Sequence, residues 1–95
     1  MTRVTYYLGA SPETSIVDFE RAVCLVDEHW PGAFFTRGCG LYKSETEEAL
    51  KIEVVVESVL EADIISFGDR LCVAFDQEKV LWTEEEVRGG LCSGT

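Results

Sequence analysis

The segment Leu50-Lys51-Ile52-Glu53-Val54-Val55-Val56-Glu57 alternates apolar and charged side chains almost throughout. Only a strand sends successive residues to opposite sides in that way. Such a strand has one face that must be covered and one that tolerates water, so the rest of the chain has to supply neighbouring strands and an apolar cover. The run Arg3-Val4-Thr5-Tyr6-Tyr7-Leu8 has the same period, with Val4, Tyr6 and Leu8 on one side and Arg3, Thr5 and Tyr7 on the other. Ala33 to Lys43 is also strand-like, and Lys79-Val80-Leu81-Trp82-Thr83 supplies a fourth strand. Gly38 and Gly40 predict a bulge in the second strand, or a place where another backbone or a ligand comes close. The second and third strands are expected to form a hairpin across the acidic turn Ser44 to Glu48.

The cover comes from two stretches with helical spacing. In the first, Ile16, Phe19, Ala22, Val23, Val26 and Trp30 recur on one face, and Pro31-Gly32 stops the helix. Ser11-Pro12-Glu13 has the composition of its start, with Thr14 or Ser15 as the other capping hydroxyls. In the second, Ser58-Val59-Leu60-Glu61 matches a capping box, and Leu60, Ile64, Phe67, Leu71 and Phe75 hold the apolar face. Gly68 is expected to let this helix lie close to the sheet. The order strand, helix, strand, strand, helix, strand predicts an α+β fold of ferredoxin-like βαββαβ type, a four-stranded antiparallel sheet with both helices on one face. Residues 2–87 are expected to form a single domain, followed by a flexible C-terminal tail over 88–95. The other sheet face stays open, which makes it the place for an oligomer contact or a ligand.

Charge narrows what such a face can meet. Eighteen Asp and Glu stand against eight Lys and Arg in the 95 residues, a formal net charge of −10, which disfavours direct contact with nucleic acid or an anionic membrane. No apolar run has the length of a membrane helix and the N-terminus lacks a signal pattern, so a cytoplasmic protein is expected. Cys24, Cys39, Cys72 and Cys92 are too scattered for a zinc site and are expected to be reduced, with Cys24 and Cys72 packing as small hydrophobes. Neither Glu45-Thr46-Glu47-Glu48, expected as a solvated loop, nor any other segment has the ligand pattern of a metal site, and no cofactor is expected. Glu84-Glu85-Glu86 is expected to lie beyond the last strand. His29, the only histidine, suits the C-terminal end of its helix, and no catalytic signature surrounds it.

The most suggestive patch is Thr36-Arg37-Gly38-Cys39-Gly40-Leu41-Tyr42-Lys43. Arg37 and Lys43 would meet phosphate or carboxylate, Gly38 and Gly40 would allow close backbone approach, and Tyr42, Tyr7 or Trp82 would stack on a ring. Trp30-Pro31-Gly32-Ala33-Phe34-Phe35-Thr36, Gly38-x-Gly40-Leu41-Tyr42 and Phe75-Asp76-Gln77-Glu78-Lys79-Val80 together resemble a loose group of small phage and bacterial proteins of the same βαββαβ order. Small phage proteins of this size include anti-defence sponges, which assemble into oligomers and sequester nucleotide signals. The resemblance implies a non-catalytic homo-oligomer holding a small anionic, nucleotide-like ligand between subunits. Two other readings compete: an acidic inhibitor that binds a host protein in place of nucleic acid, and a small dimeric α/β-barrel enzyme working through His29 or Cys39.

Overall fold

Two-residue patterning puts Val4, Tyr6 and Leu8 on one side of β1 (Thr2–Gly9) and Leu50, Ile52 and Val54 on the same side of β3 (Glu45–Val56). In the computed structural model, which describes residues 1–10 and 17–94, all six are buried. The strands pair antiparallel with Val4 opposite Val54, Tyr6 opposite Ile52 and Leu8 opposite Leu50, so the core begins as three facing cross-strand pairs. β2 (Phe34–Tyr42) adds to the free side of β3 and β4 (Leu81–Glu86) to the free side of β1, giving the order β2-β3-β1-β4 with every neighbour antiparallel. Helices α1 (Phe19–His29) and α2 (Glu61–Ala74) complete the ferredoxin-like βαββαβ arrangement. They cover one sheet face with Ala22 and Val26 from α1 and Ile64, Phe67 and Leu71 from α2. The Tyr6 hydroxyl donates to the Ile64 carbonyl at 2.8 Å, its ring meets Phe67 edge-on at 5.3 Å, and burial raises its phenol pKa above the ordinary tyrosine value.

Several local expectations change. Asp18 caps α1, its carboxylate accepting from the Arg21 N–H at 3.1 Å, the capping that a short acceptor side chain favours. Ser11, Pro12, Glu13, Thr14, Ser15 and Ile16 lie outside the described residues. Trp30 ends the helix in extended conformation, which is what a following proline imposes. Phe19 and Val23 are exposed rather than core, because the inward stripe of α1 runs through Ala22 and Val26, with Leu25 partly buried beside it. Cys24 is likewise exposed and Cys72 half-buried, and all four cysteines are free thiols. Helix α2 begins at Glu61 behind Leu60, which offers no side-chain cap. The capping box at Ser58 is therefore not made, and Leu60 is 71% exposed instead of packing inward. Gly68 is buried against Tyr6, but a Cβ built there would lie 3.6 Å from the ring, so the close approach does not require glycine.

The β2–β3 hairpin departs furthest from expectation. Its register runs unbroken from Phe34 opposite Glu53 to Tyr42 opposite Glu45, so Gly38 and Gly40 mark no bulge. The turn is Lys43-Ser44, with φ of 50° and 65°, the left-handed pair that two-residue hairpins use. Glu45-Thr46-Glu47-Glu48 is thus strand rather than acidic loop. Pairing with β1 stops at Gly9 opposite Ala49, and beyond it the hairpin runs on as a two-stranded arm, where neither side needs apolar residues and alternation disappears. At the other edge, β4 starts two residues later than expected and continues through Glu84-Glu85-Glu86. These acids are held in the sheet by pairing with Val4, Arg3 and Thr2, by the Arg3–Glu85 ion pair, and by the Thr2 hydroxyl donating to Glu86 at 3.0 Å. Residues 88–94 carry no regular structure.

Candidate functional site

Strand parity sorts the sequence-predicted residues. On β2, Phe35, Arg37, Cys39 and Leu41 share the helix side with Ile52, Leu50, Glu48 and Thr46, whereas Phe34, Thr36, Gly38, Gly40 and Tyr42 share the open side with alternate residues of β3. Tyr7 lies opposite Lys51 on that open side, as its alternation with Tyr6 and Leu8 requires. Trp82 lies opposite Tyr6 and packs half-buried against the core on the helix side. The predicted group is therefore not one site within the chain. Arg37 and Trp82 occupy opposite edges of the sheet, three strand spacings or about 14 Å apart. Tyr7 and Tyr42 share the open face, yet Tyr42 sits six β3 residues further along, near the tip. Lys43 is in the turn, its Nζ 5.3 Å from the Tyr42 ring centroid. Gly38 and Gly40 carry no side chain on the open face, where Ala49 lies opposite Gly38 and Glu47 opposite Gly40.

A different cluster forms around Arg37. Its Nη1 donates to Glu48 Oε1 at 2.7 Å, and its guanidinium lies 5.3 Å from the Phe19 ring centroid. Phe19 in turn meets Phe35 edge-on at 5.5 Å. Glu48 Oε1 also accepts from the Val17 N–H at 3.3 Å, while the Glu48 carbonyl accepts from the Ala10 N–H at 3.0 Å. Glu48 thereby ties together the end of β1, the approach to α1 and the root of the hairpin arm, and its side chain is 31% exposed. Two aromatic rings, a half-buried carboxylate and an arginine fork that spends one donor among the described residues make a polar-aromatic surface cluster. Such a group set offers ring faces to a flat heterocycle or a cation and paired donors and acceptors to a hydroxyl or a heterocycle edge.

Sequence reasoning missed Glu48 because it read the acidic stretch as a loop. Its partnership with Arg37 follows only from the position of the turn, which sets those two residues diagonally on one face. Three further cations are engaged with acids: Arg3 with Glu85, Lys51 with Glu53 at 2.9 Å and Arg70 with Glu28 at 3.0 Å. Hydrogen bonding to these carboxylates raises the pKa of Arg3 and Lys51. On the outer side of the helices a shallow groove runs between Leu25, Ile65 and Val73 and is bridged by the Arg70–Glu28 pair; none of the predicted site residues lines it. Among the described residues, no three His, Cys, Asp or Glu side chains gather as a metal site, and no helix is long and apolar enough to cross a membrane.

No protein-family model and no curated protein matches the chain. Solved structures do share its fold. A phage SAM lyase in its apo state superimposes with a TM-score of 0.62 at 18% identity, covering 88% of this chain and 78% of the lyase. A DUF3240 family protein from Shewanella baltica OS155 gives a TM-score of 0.65 at 13% identity, covering 97% of both chains. B. subtilis GlnK in complex with ATP gives 0.49 at 22% identity, over 90% of this chain and 84% of GlnK.

Proposed function

We propose that this protein binds a nucleoside-bearing small molecule of positive charge, of the S-adenosylmethionine class, at the surface cluster formed by Phe19, Phe35, Arg37 and Glu48. The observation that carries the reading is the Arg37–Glu48 pair. The arginine expected to receive phosphate already has an anionic partner, and an anionic nucleotide would have to displace it. In a chain of net charge −10, a sulfonium is attracted where a phosphate is repelled. Phe35 supplies a ring face for adenine, and Glu48 Oε2, which accepts no hydrogen bond among the described residues, supplies the acceptor for the cation. The fold shared with a phage SAM lyase supports the same ligand class. The role we assign is retention of the ligand without turnover, the sequestering role that the sequence resemblance implies, with the sign of the ligand's charge reversed.

Calorimetric titration with S-adenosylmethionine, with S-adenosylhomocysteine, which lacks the sulfonium and has no net charge, and with ATP tests the reading. S-adenosylmethionine should bind, the thioether analogue at least about tenfold more weakly, and ATP not measurably. Glu48→Gln should weaken S-adenosylmethionine binding by about 1.5–3 kcal/mol, the usual loss for a hydrogen bond to a charged group. Binding of ATP in preference to S-adenosylmethionine would restore the anionic-ligand reading. Mass spectrometry of the titration mixture should return S-adenosylmethionine intact, and its breakdown would make the protein an enzyme instead.

A further inference from the structure

Among the described residues both edges of the sheet are open, because β2 pairs only with β3 and β4 only with β1. Each therefore presents a row of backbone donors and acceptors, a form that isolated proteins ordinarily blunt. The two edges have opposite chemistry. Phe34 to Ser44 contains Arg37 and Lys43 and no acid, in a chain with 18 of them, whereas Leu81 to Glu86 contains three acids and no base. Large apolar side chains stand exposed on both, Phe34 and Leu41 at 74% and Leu81 at 63%. We propose that the β4 edge of one copy adds to the β2 edge of the next, joining copies of this chain head to tail into a closed ring.

Charge and direction select this contact over the alternatives. Pairing β4 with a second β4 would gather six glutamates at one seam, and pairing β2 with a second β2 would gather two Arg37 and two Lys43 there with no acid from either edge. β2 with β4 sets unlike charges side by side. Within the sheet β2 and β4 already run in opposite directions. A copy placed alongside therefore meets its neighbour in antiparallel pairing, with the helices of both on the same side. Parity limits the register to alternate settings, and charge selects among them. Arg37 and Glu84 both lie on the helix side, so placing them opposite one another sets the neighbour's Thr83 and Leu81 beside the bare positions of Gly38 and Gly40, and its Trp82 opposite Cys39. Arg37 spends one of five donors on Glu48, and Glu84 makes no ion pair or side-chain hydrogen bond among the described residues. A contact between unlike surfaces closes into a ring or runs on as a fibre.

Native mass spectrometry of the full chain should show one discrete assembly of three or more copies. Glu84→Lys and Arg37→Glu should each raise its dissociation constant at least about tenfold while leaving the circular dichroism unchanged, and mixing the two variants should restore assembly, since each keeps the edge that the other has lost. In a separate Trp82→Cys variant, mild oxidation should link neighbouring copies through Cys39, identified by peptide mapping and abolished by Cys39→Ser. A monomeric wild-type protein overturns the proposal. So does an assembly that Glu84→Lys leaves intact and that yields no Cys39 linkage. None of these readouts depends on the ligand.

Discussion

Tyr6 concentrates several forces in one side chain. Its ring fills the centre of the sheet, its hydroxyl bonds the Ile64 carbonyl, and burial favours the neutral phenol. Tyr6→Phe should cost about 0.5–1.5 kcal/mol, read as a lower urea midpoint at unchanged slope. The same residue sets an alkaline limit. Above pH about 10 the unfolded chain releases the tyrosine proton while the folded chain keeps it, so stability falls as pH rises beyond that point. Urea titrations near neutrality and at alkaline pH should show this loss in the wild type and a smaller one in Tyr6→Phe. Across the interface, Gly68 leaves room for a methyl group 3.6 Å from the Tyr6 ring. Gly68→Ala should therefore raise stability by about 0.5–1 kcal/mol through helix propensity alone, whereas a drop would show that the helix cannot yield at that contact.

The two helices differ in how they begin. Asp18 caps α1 through its side chain, whereas α2 starts behind Leu60, which caps nothing and is exposed. Leu60→Asp should stabilise the protein by about 1 kcal/mol, measured by thermal or urea unfolding, because it supplies the missing acceptor and a charge suited to the helix N-terminus. Elements with one wet and one buried side were legible in the sequence: the alternation of Val4, Tyr6 and Leu8 and the helical stripe through Ile64, Phe67 and Leu71 gave element order, fold class and core. What failed was local. The acids from Glu45 to Glu48 and from Glu84 to Glu86 read as loop or terminus because the hairpin arm and the end of β4 bury little of either side, and strand structure without burial leaves no hydrophobic period. The site suffered from the same blindness. Arg37 was visible as a cation among glycines, but its carboxylate partner eleven residues on depended on a turn at Lys43-Ser44 that lacks the usual Asn-Gly signal.

The whole molecule carries ten more negative than positive charges, and its ion pairs sit on exposed or half-exposed side chains. Such pairs contribute about 0–1 kcal/mol each, so general repulsion should dominate the response to salt. Raising sodium chloride from about 0.01 M to about 0.15 M shortens the screening length from about 30 Å to about 8 Å and should move the urea midpoint upward; a downward shift would mean that the pairs outweigh the repulsion. The placement of the two tryptophans turns the molecule into its own optical instrument. Trp30 lies under the helices against Phe67 and His29, while Trp82 stands half-buried on the rim strand. One indole thus emits from the interior and the other from the boundary of the sheet. Light from Trp30 follows the melting of the core, and light from Trp82 changes colour when anything, water or protein, exchanges places along that boundary.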